Sequence, residues 1–176
     1  MFFTPTELVG AFIIDLQRFE DNRGFFARTW SPDEFESRGL VTHIAQMNLS
    51  YNRTKGTLRG MHFQHAPYAE TKQVRCVRGA ILDVIIDLRP DSPSFKRWIG
   101  VELTAENRRA LYVPEGFAHG FQTLADDVEV MYQVSHAYTP SAEGGVRHDD
   151  PAFNIEWPLP PTEMSPKDTS WPLFER

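Results

Sequence analysis

An antiparallel β barrel or jelly roll with few helices is the fold class this sequence predicts, on three observations. Short runs rich in Val, Ile, Phe and Tyr follow one another from Ile44 to about Tyr138. Clusters of Gly, Pro, Asn and Asp punctuate them, and the last run, Val128 to Tyr138, alternates cleanly. Strands with turn signals at this spacing build sandwiches and barrels, whereas βαβ units would need helical stretches between them. The 176 residues suit one domain spanning 1–176 and leave little room for two.

Taken in order, residues 1–20 read as an extended arm. Val9, Phe12, Ile13 and Ile14 are strand formers, and Pro5 and Gly10 oppose a helix. Asp21-Asn22 with Gly24 reads as a hairpin turn, and Phe25 to Trp30 as the returning strand. The one fair helix is Ser31 to Gly39: Ser31 as cap, Pro32 at the first position, Glu34 completing a capping box, Gly39 as stop. It is expected to cover one edge of a sheet. Ala80 to Arg89 is a strongly apolar strand stopped by Pro90-Asp-Ser-Pro93. Trp98–Leu103 and Ala110–Val113 are further strands around the turn Thr104-Ala-Glu-Asn107. In Val128–Tyr138, Val128, Val130, Tyr132, Val134, His136 and Tyr138 share one face. Residues 140–176 are proline-rich and irregular and are expected to pack on the barrel as a tail.

A formal net charge of −6 argues against a broad nucleic-acid-binding surface but leaves room for local basic pockets. The single cysteine, Cys76, excludes an internal disulfide and reads as a buried, inert thiol. No apolar run approaches the ~20 residues of a membrane span, and residues 1–20 lack a basic start followed by an apolar core. A soluble, cytoplasmic protein is the expectation.

Chemistry-bearing residues concentrate between Gly56 and Gly79, where Arg59 and Lys72 flank His62. A second stretch, Val113-Pro-Glu-Gly-Phe-Ala-His-Gly-Phe121, adds His119. Both have the outline of the cupin motifs, with Gln64 standing where a metal-binding cupin has its second histidine. Glu70 could supply a carboxylate, which leaves two histidines and one poor oxygen where stable sites take three good ligands. Arg59 and Lys72 would repel a dication and attract an oxyanion. No metal and no cofactor are therefore expected. His43, His65, His136 and His148 read as ordinary surface or loop residues. Regular alternation puts Arg59 on the face opposite His62 and Gln64, unless a bulge near Gly60 re-aims it.

Several motifs in order, namely Asp21-x-Arg23-Gly24-Phe25-Phe26, Gln46-x-Asn48-x-Ser50, Gly56-x-Leu58-Arg59-Gly60-x-His62-x-Gln64, Lys72, Pro114-x-Gly116-Phe117-Ala118-His119-Gly120-Phe121, Tyr132, Tyr138, Glu143 and Ser165-x-Lys167-Asp168, resemble the dTDP-4-dehydrorhamnose 3,5-epimerase family. The resemblance runs over almost the whole chain. It implies a metal-independent cupin jelly roll, usually a homodimer, that acts on a nucleotide-linked 4-keto-6-deoxy sugar. It further implies His62 as general base oriented by Asp168, Lys72 as enolate stabiliser and Tyr132 as the acid on the opposite face. Arg23 and Arg59 would grip the diphosphate; Gln46, Asn48, His119, Glu143 and Lys167 match ligand-contacting positions, and Tyr138 would stack on the base. The N-terminal arm and hairpin (residues 1–30) would sit at the dimer interface and carry Arg23 into the neighbouring subunit's site. Arg28 departs from the family's usual glutamate near the nucleotide end, which points to retained chemistry with an altered nucleotide or sugar preference. The alternatives are a C3-only epimerase or related keto-sugar isomerase, a non-catalytic sugar-nucleotide binding module and, more distantly, a metalloenzyme cupin.

Overall fold

Alternation of apolar and polar residues assigns each strand an inner and an outer face, and two facing antiparallel sheets result. The computed structural model describes residues 1–175. In chain order the strands are β1 (Phe2–Pro5), β2 (Phe12–Asp15), β3 (Phe19–Asp21), β4 (Gly24–Phe26), β5 (Gln46–Asn52), β6 (Leu58–Gln64) and β7 (Lys72–Arg78). They continue as β8 (Ala80–Asp87), β9 (Trp98–Thr104), β10 (Ala110–Val113), β11 (Phe117–Thr123), β12 (Val128–Val134) and β13 (Glu143–Gly145). The helices are α1 (Pro32–Glu36) and α2 (Pro166–Ser170), with a 3₁₀ turn at Pro140–Ala142. One sheet has the order β1-β2-β10-β7-β12-β5, the other β13-β6-β11-β8-β9, and β3–β4 form a separate hairpin. The predicted antiparallel jelly roll is the observed fold.

The space between the sheets is filled by inward residues two or four positions apart along each strand: Val74 and Cys76, Ile81 and Ile85, Phe117 and Phe121, Val128 and Val130. Burial pushes the Cys76 thiol up to about 11, as expected of an inert cysteine. The tail covers the outer face of the five-stranded sheet. Val146 and Phe153 are buried there against Met61, Val84, Ile86 and Ala118, with Ile155, Trp157 and Phe174 packed alongside. Each such side chain taken fully from water contributes roughly 1.5–3 kcal/mol, so an irregular tail still stays docked.

The N-terminal arm finds its pairing within the chain, and one expectation for the helix that follows needs correction. The first half of the arm is built into its own chain's sheet, because β2 pairs with β10 through Ile14↔Ala110 and Phe12↔Tyr112. Only the β3–β4 hairpin is left exposed along its whole length. The helix forms as predicted, with Phe35 buried against Phe3, Ile14 and Tyr112, but Ser31 makes no side-chain capping bond. Glu34 binds the Met1 ammonium at 2.8 Å instead. A charged donor outcompetes a backbone N–H for that carboxylate. Among the described residues no helix is long and apolar enough to cross a membrane.

Candidate active site

The apolar filling between the sheets stops short of the ends of β5, β6, β7 and β12, and a cavity of about 460 Å³ opens there. Its walls carry His62 and Gln64 from β6, Lys72 from β7, Tyr132 and Val134 from β12, Gln46 and Asn48 from β5, and Glu143 from β13. Because β6 belongs to one sheet and β12 to the other, His62 and Tyr132 line it from opposing walls. A neighbouring hollow of about 500 Å³ shares His62 and Lys167 and adds Arg59 and Asp168.

The expected bulge is present. His119 pairs with His62 and Phe121 with Arg59, so three steps of β6 match two of β11. The extra residue falls beside Gly60, whose φ of +137° favours glycine, and a Cβ there would lie 2.6 Å from the Gly120 Cα. The slip turns Arg59 to the same side as His62. Its Nε donates to Asn52 Oδ1 at 2.7 Å.

The tail supplies the partner of His62. Ser165 Oγ accepts the Asp168 N–H at 3.1 Å, which starts the short α2 and brings a 4%-exposed carboxylate back to β6. Asp168 Oδ1 lies 2.7 Å from His62 Nε2, and its Oδ2 accepts the Gly60 N–H at 3.3 Å. Burial raises the Asp168 pKa, but the His62 and Gly60 hydrogen bonds outweigh it and hold the carboxyl below the usual range. An ionised carboxylate only accepts, so Nε2 carries the proton and Nδ1 keeps its lone pair. This dyad is the makings of a general base.

Around it, Lys72 Nζ lies 3.1 Å from Glu70 Oε1 with both side chains about nine-tenths buried. Gln64 is wholly committed to the protein: its Nε2 donates to Glu70 and to the Tyr68 carbonyl at 2.9 Å, and its Oε1 accepts the Thr139 N–H at 2.6 Å. Among the described residues no three His, Cys, Asp or Glu side chains converge on one point. Tyr132 has its pKa raised by burial, with Arg59 opposing and Glu70 adding to the effect. It therefore stays a proton donor. At the mouth, Tyr138 Oη donates to Glu143 Oε2 at 2.9 Å, Lys167 Nζ meets Glu143 Oε1 at 2.6 Å, and Gln46 Oε1 accepts the Tyr138 N–H at 2.9 Å.

Three of the sequence-predicted residues line neither this cavity nor the neighbouring hollow. His119 is buried on the next strand with Nε2 bound to Asp83 Oδ1 at 2.8 Å, and does not line the cavity. Arg23 is exposed on the β3–β4 hairpin and pairs with Asp21. Arg28 lies 3.7 Å from Glu34, a carboxylate that draws it toward α1. Conversely, Glu70 and His136 also line the cavity; His136 does so from the bend that follows β12, in keeping with its reading as a surface or loop residue.

The family model for dTDP-4-dehydrorhamnose 3,5-epimerase matches residues 5–176. A relative of that name from Shigella flexneri is 43% identical over 170 residues, covering 96% of this chain and 93% of the relative. A dTDP-4-dehydrorhamnose 3-epimerase from Streptomyces niveus is 39% identical over 93% of this chain and 79% of its own length. The crystal structure of the 3,5-epimerase from Bacillus anthracis, with TDP and PPi bound, superposes with a TM-score of 0.94 at 42% identity, covering 98% of both chains.

Proposed function

Because the chain belongs to the dTDP-4-dehydrorhamnose 3,5-epimerase family, we propose that it is an isomerase inverting C3 and C5 of a dTDP-linked 4-keto-6-deoxy sugar. The 4-keto group acidifies both neighbouring C–H bonds, since each carbanion delocalises into an enolate. His62 Nδ1 takes the proton and Asp168 stabilises the imidazolium that forms. Lys72, aimed by Glu70, holds the enolate oxygen. Tyr132 returns a proton from the other wall, and that change of face inverts the centre. The observation that carries this reading is the 2.7 Å His62–Asp168 pair on one sheet facing Tyr132 on the other. A mere binding module has no use for an acid and a base so disposed. Arg59, Gln46, Asn48, Tyr138, Glu143 and Lys167 would hold the nucleotide and diphosphate.

The likeness to a 3-epimerase makes inversion at C3 alone the second reading. Supplying dTDP-4-dehydro-6-deoxy-D-glucose and reducing the product chemically separates them: inversion at both centres is expected, inversion at C3 alone supports the second reading, and unchanged sugar contradicts both. Lys72→Met is expected to lower kcat by about 10²–10³-fold, the usual cost of one oxyanion donor. A loss of less than tenfold would take the enolate role from Lys72.

We propose further that two copies pair through the outer face of the six-stranded sheet. Its edge strand β5 leaves Met47 and Leu49 about 60% exposed. Two strands in, across β12, Arg75, pulled down to about 10 by burial, has no acceptor for either Nη among the described residues. Asp15 acts on Arg75 only through charge, and a buried guanidinium without a hydrogen-bond acceptor is costly, which supports completion of this face by another chain. The exposed hairpin, with Phe19 and Phe26, would then carry Arg23 and Arg28 toward the partner's cavity. Sedimentation velocity should give a dimer; a monomer would contradict the pairing. Fractionation should place the enzyme in the cytoplasm, where a buried reduced cysteine is at home.

A further inference from the structure

Trp171 directly follows α2, three positions after Asp168. Its indole stands against the His62 imidazole with ring centroids 6.4 Å apart and planes at 67°. The seat under it is bare backbone: a Cβ on Gly145 would come within 2.3 Å of the indole. Gly145 is the residue paired with His62 in the β13–β6 ladder. The indole therefore fills the corner between the strand that carries the base and the helix that carries its carboxylate. Its buried Nε1–H finds no acceptor among the described residues, so ring contact, with no hydrogen bond to help, holds it there.

One hydrogen bond to Asp168 fixes where His62 Nε2 points but leaves the ring free to tilt about that bond. A T-shaped aromatic neighbour removes that freedom. We propose that Trp171 is a positioning residue: by wedging between Gly145 and the imidazole, it holds His62 Nδ1 in the attitude required for proton abstraction. This rests on His62 being the base. Misplacement of a catalytic group by about 1 Å can cost about 10²-fold in rate.

The test compares wild type, Trp171→Ala, Trp171→Phe and Gly145→Ala, each checked by circular dichroism and thermal midpoint. Trp171→Ala is expected to lower kcat by about 10–100-fold with KM within about twofold, because the ring orients the base without touching the nucleotide. Trp171→Phe should recover most of kcat and melt no lower than wild type, as phenyl has no N–H to leave unpaired. Gly145→Ala, which evicts the indole, should reproduce the Ala defect. The proposal is overturned if Trp171→Ala keeps wild-type kcat, if KM rises as far as kcat falls, or if Phe fails to restore turnover while the fold is intact. A wild type that does not turn over would instead sink the functional reading.

Discussion

His62→Asn is expected to lower kcat by about 10²–10⁴-fold, the usual contribution of a positioned general base. Asparagine removes the imidazole base and leaves the buried Asp168 carboxylate with the Gly60 N–H as a donor. His62 itself is 30% exposed on its side chain, and its neighbours are held by the ladders to β11 and β13. The variant should therefore fold, bind nucleotide and show a KM within a few-fold of wild type. In the wild type the Asp168 carboxylate does not set the low-pH side of activity. Its pKa is depressed, so the carboxylate stays ionised as pH falls through the ordinary carboxylate range and the dyad persists there. Steady-state kinetics with circular dichroism checks the first expectation; turnover within tenfold of wild type would remove His62 from the role.

Tyr132→Phe should produce the second large loss, again about 10²–10⁴-fold in formation of inverted product. The hydroxyl is the donor on the wall opposite His62, and burial keeps it protonated above the usual tyrosine range. Activity should accordingly hold through neutral and mildly alkaline pH without a tyrosine-dependent fall. Unlike His62→Asn, this variant leaves the base intact. Abstraction and return of a proton on the same face should continue, so solvent exchange should outpace inversion. Equal loss of both would mean that Tyr132 is needed before the enolate forms.

The fold was legible because nearly every strand alternates or runs apolar between Gly and Pro punctuation, and two facing sheets follow from that. Composition hid the N-terminal pairing: Phe12 to Ile14 look like a free arm until β10 is seen beside them. The bulge at Gly60 was inferable, since Arg59 and His62 reach one side only with an extra residue in β6. Asp168, however, stands 106 positions from His62, and no local pattern joins them; only the family likeness did. Glu70 was legible as a nearby carboxylate, but not as the partner of Lys72. Trp171 had no signal at all, because its partner is a glycine on an edge strand that the tail happens to cross. Arg23 and Arg28 belong to a different problem: sequence does not say which copy's cavity a hairpin serves.

Inversion by this enzyme requires one base and one acid sharing a cavity from opposite walls. Deuterium wash-in tests this most directly, with dTDP-4-dehydro-6-deoxy-D-glucose incubated in D₂O and read by NMR. Wild type should place one deuteron at C3 and one at C5, each on the inverted face, while His62→Asn places none at either within the same time. Inverted product without solvent deuterium, or undiminished labelling in the His62 variant, would contradict it.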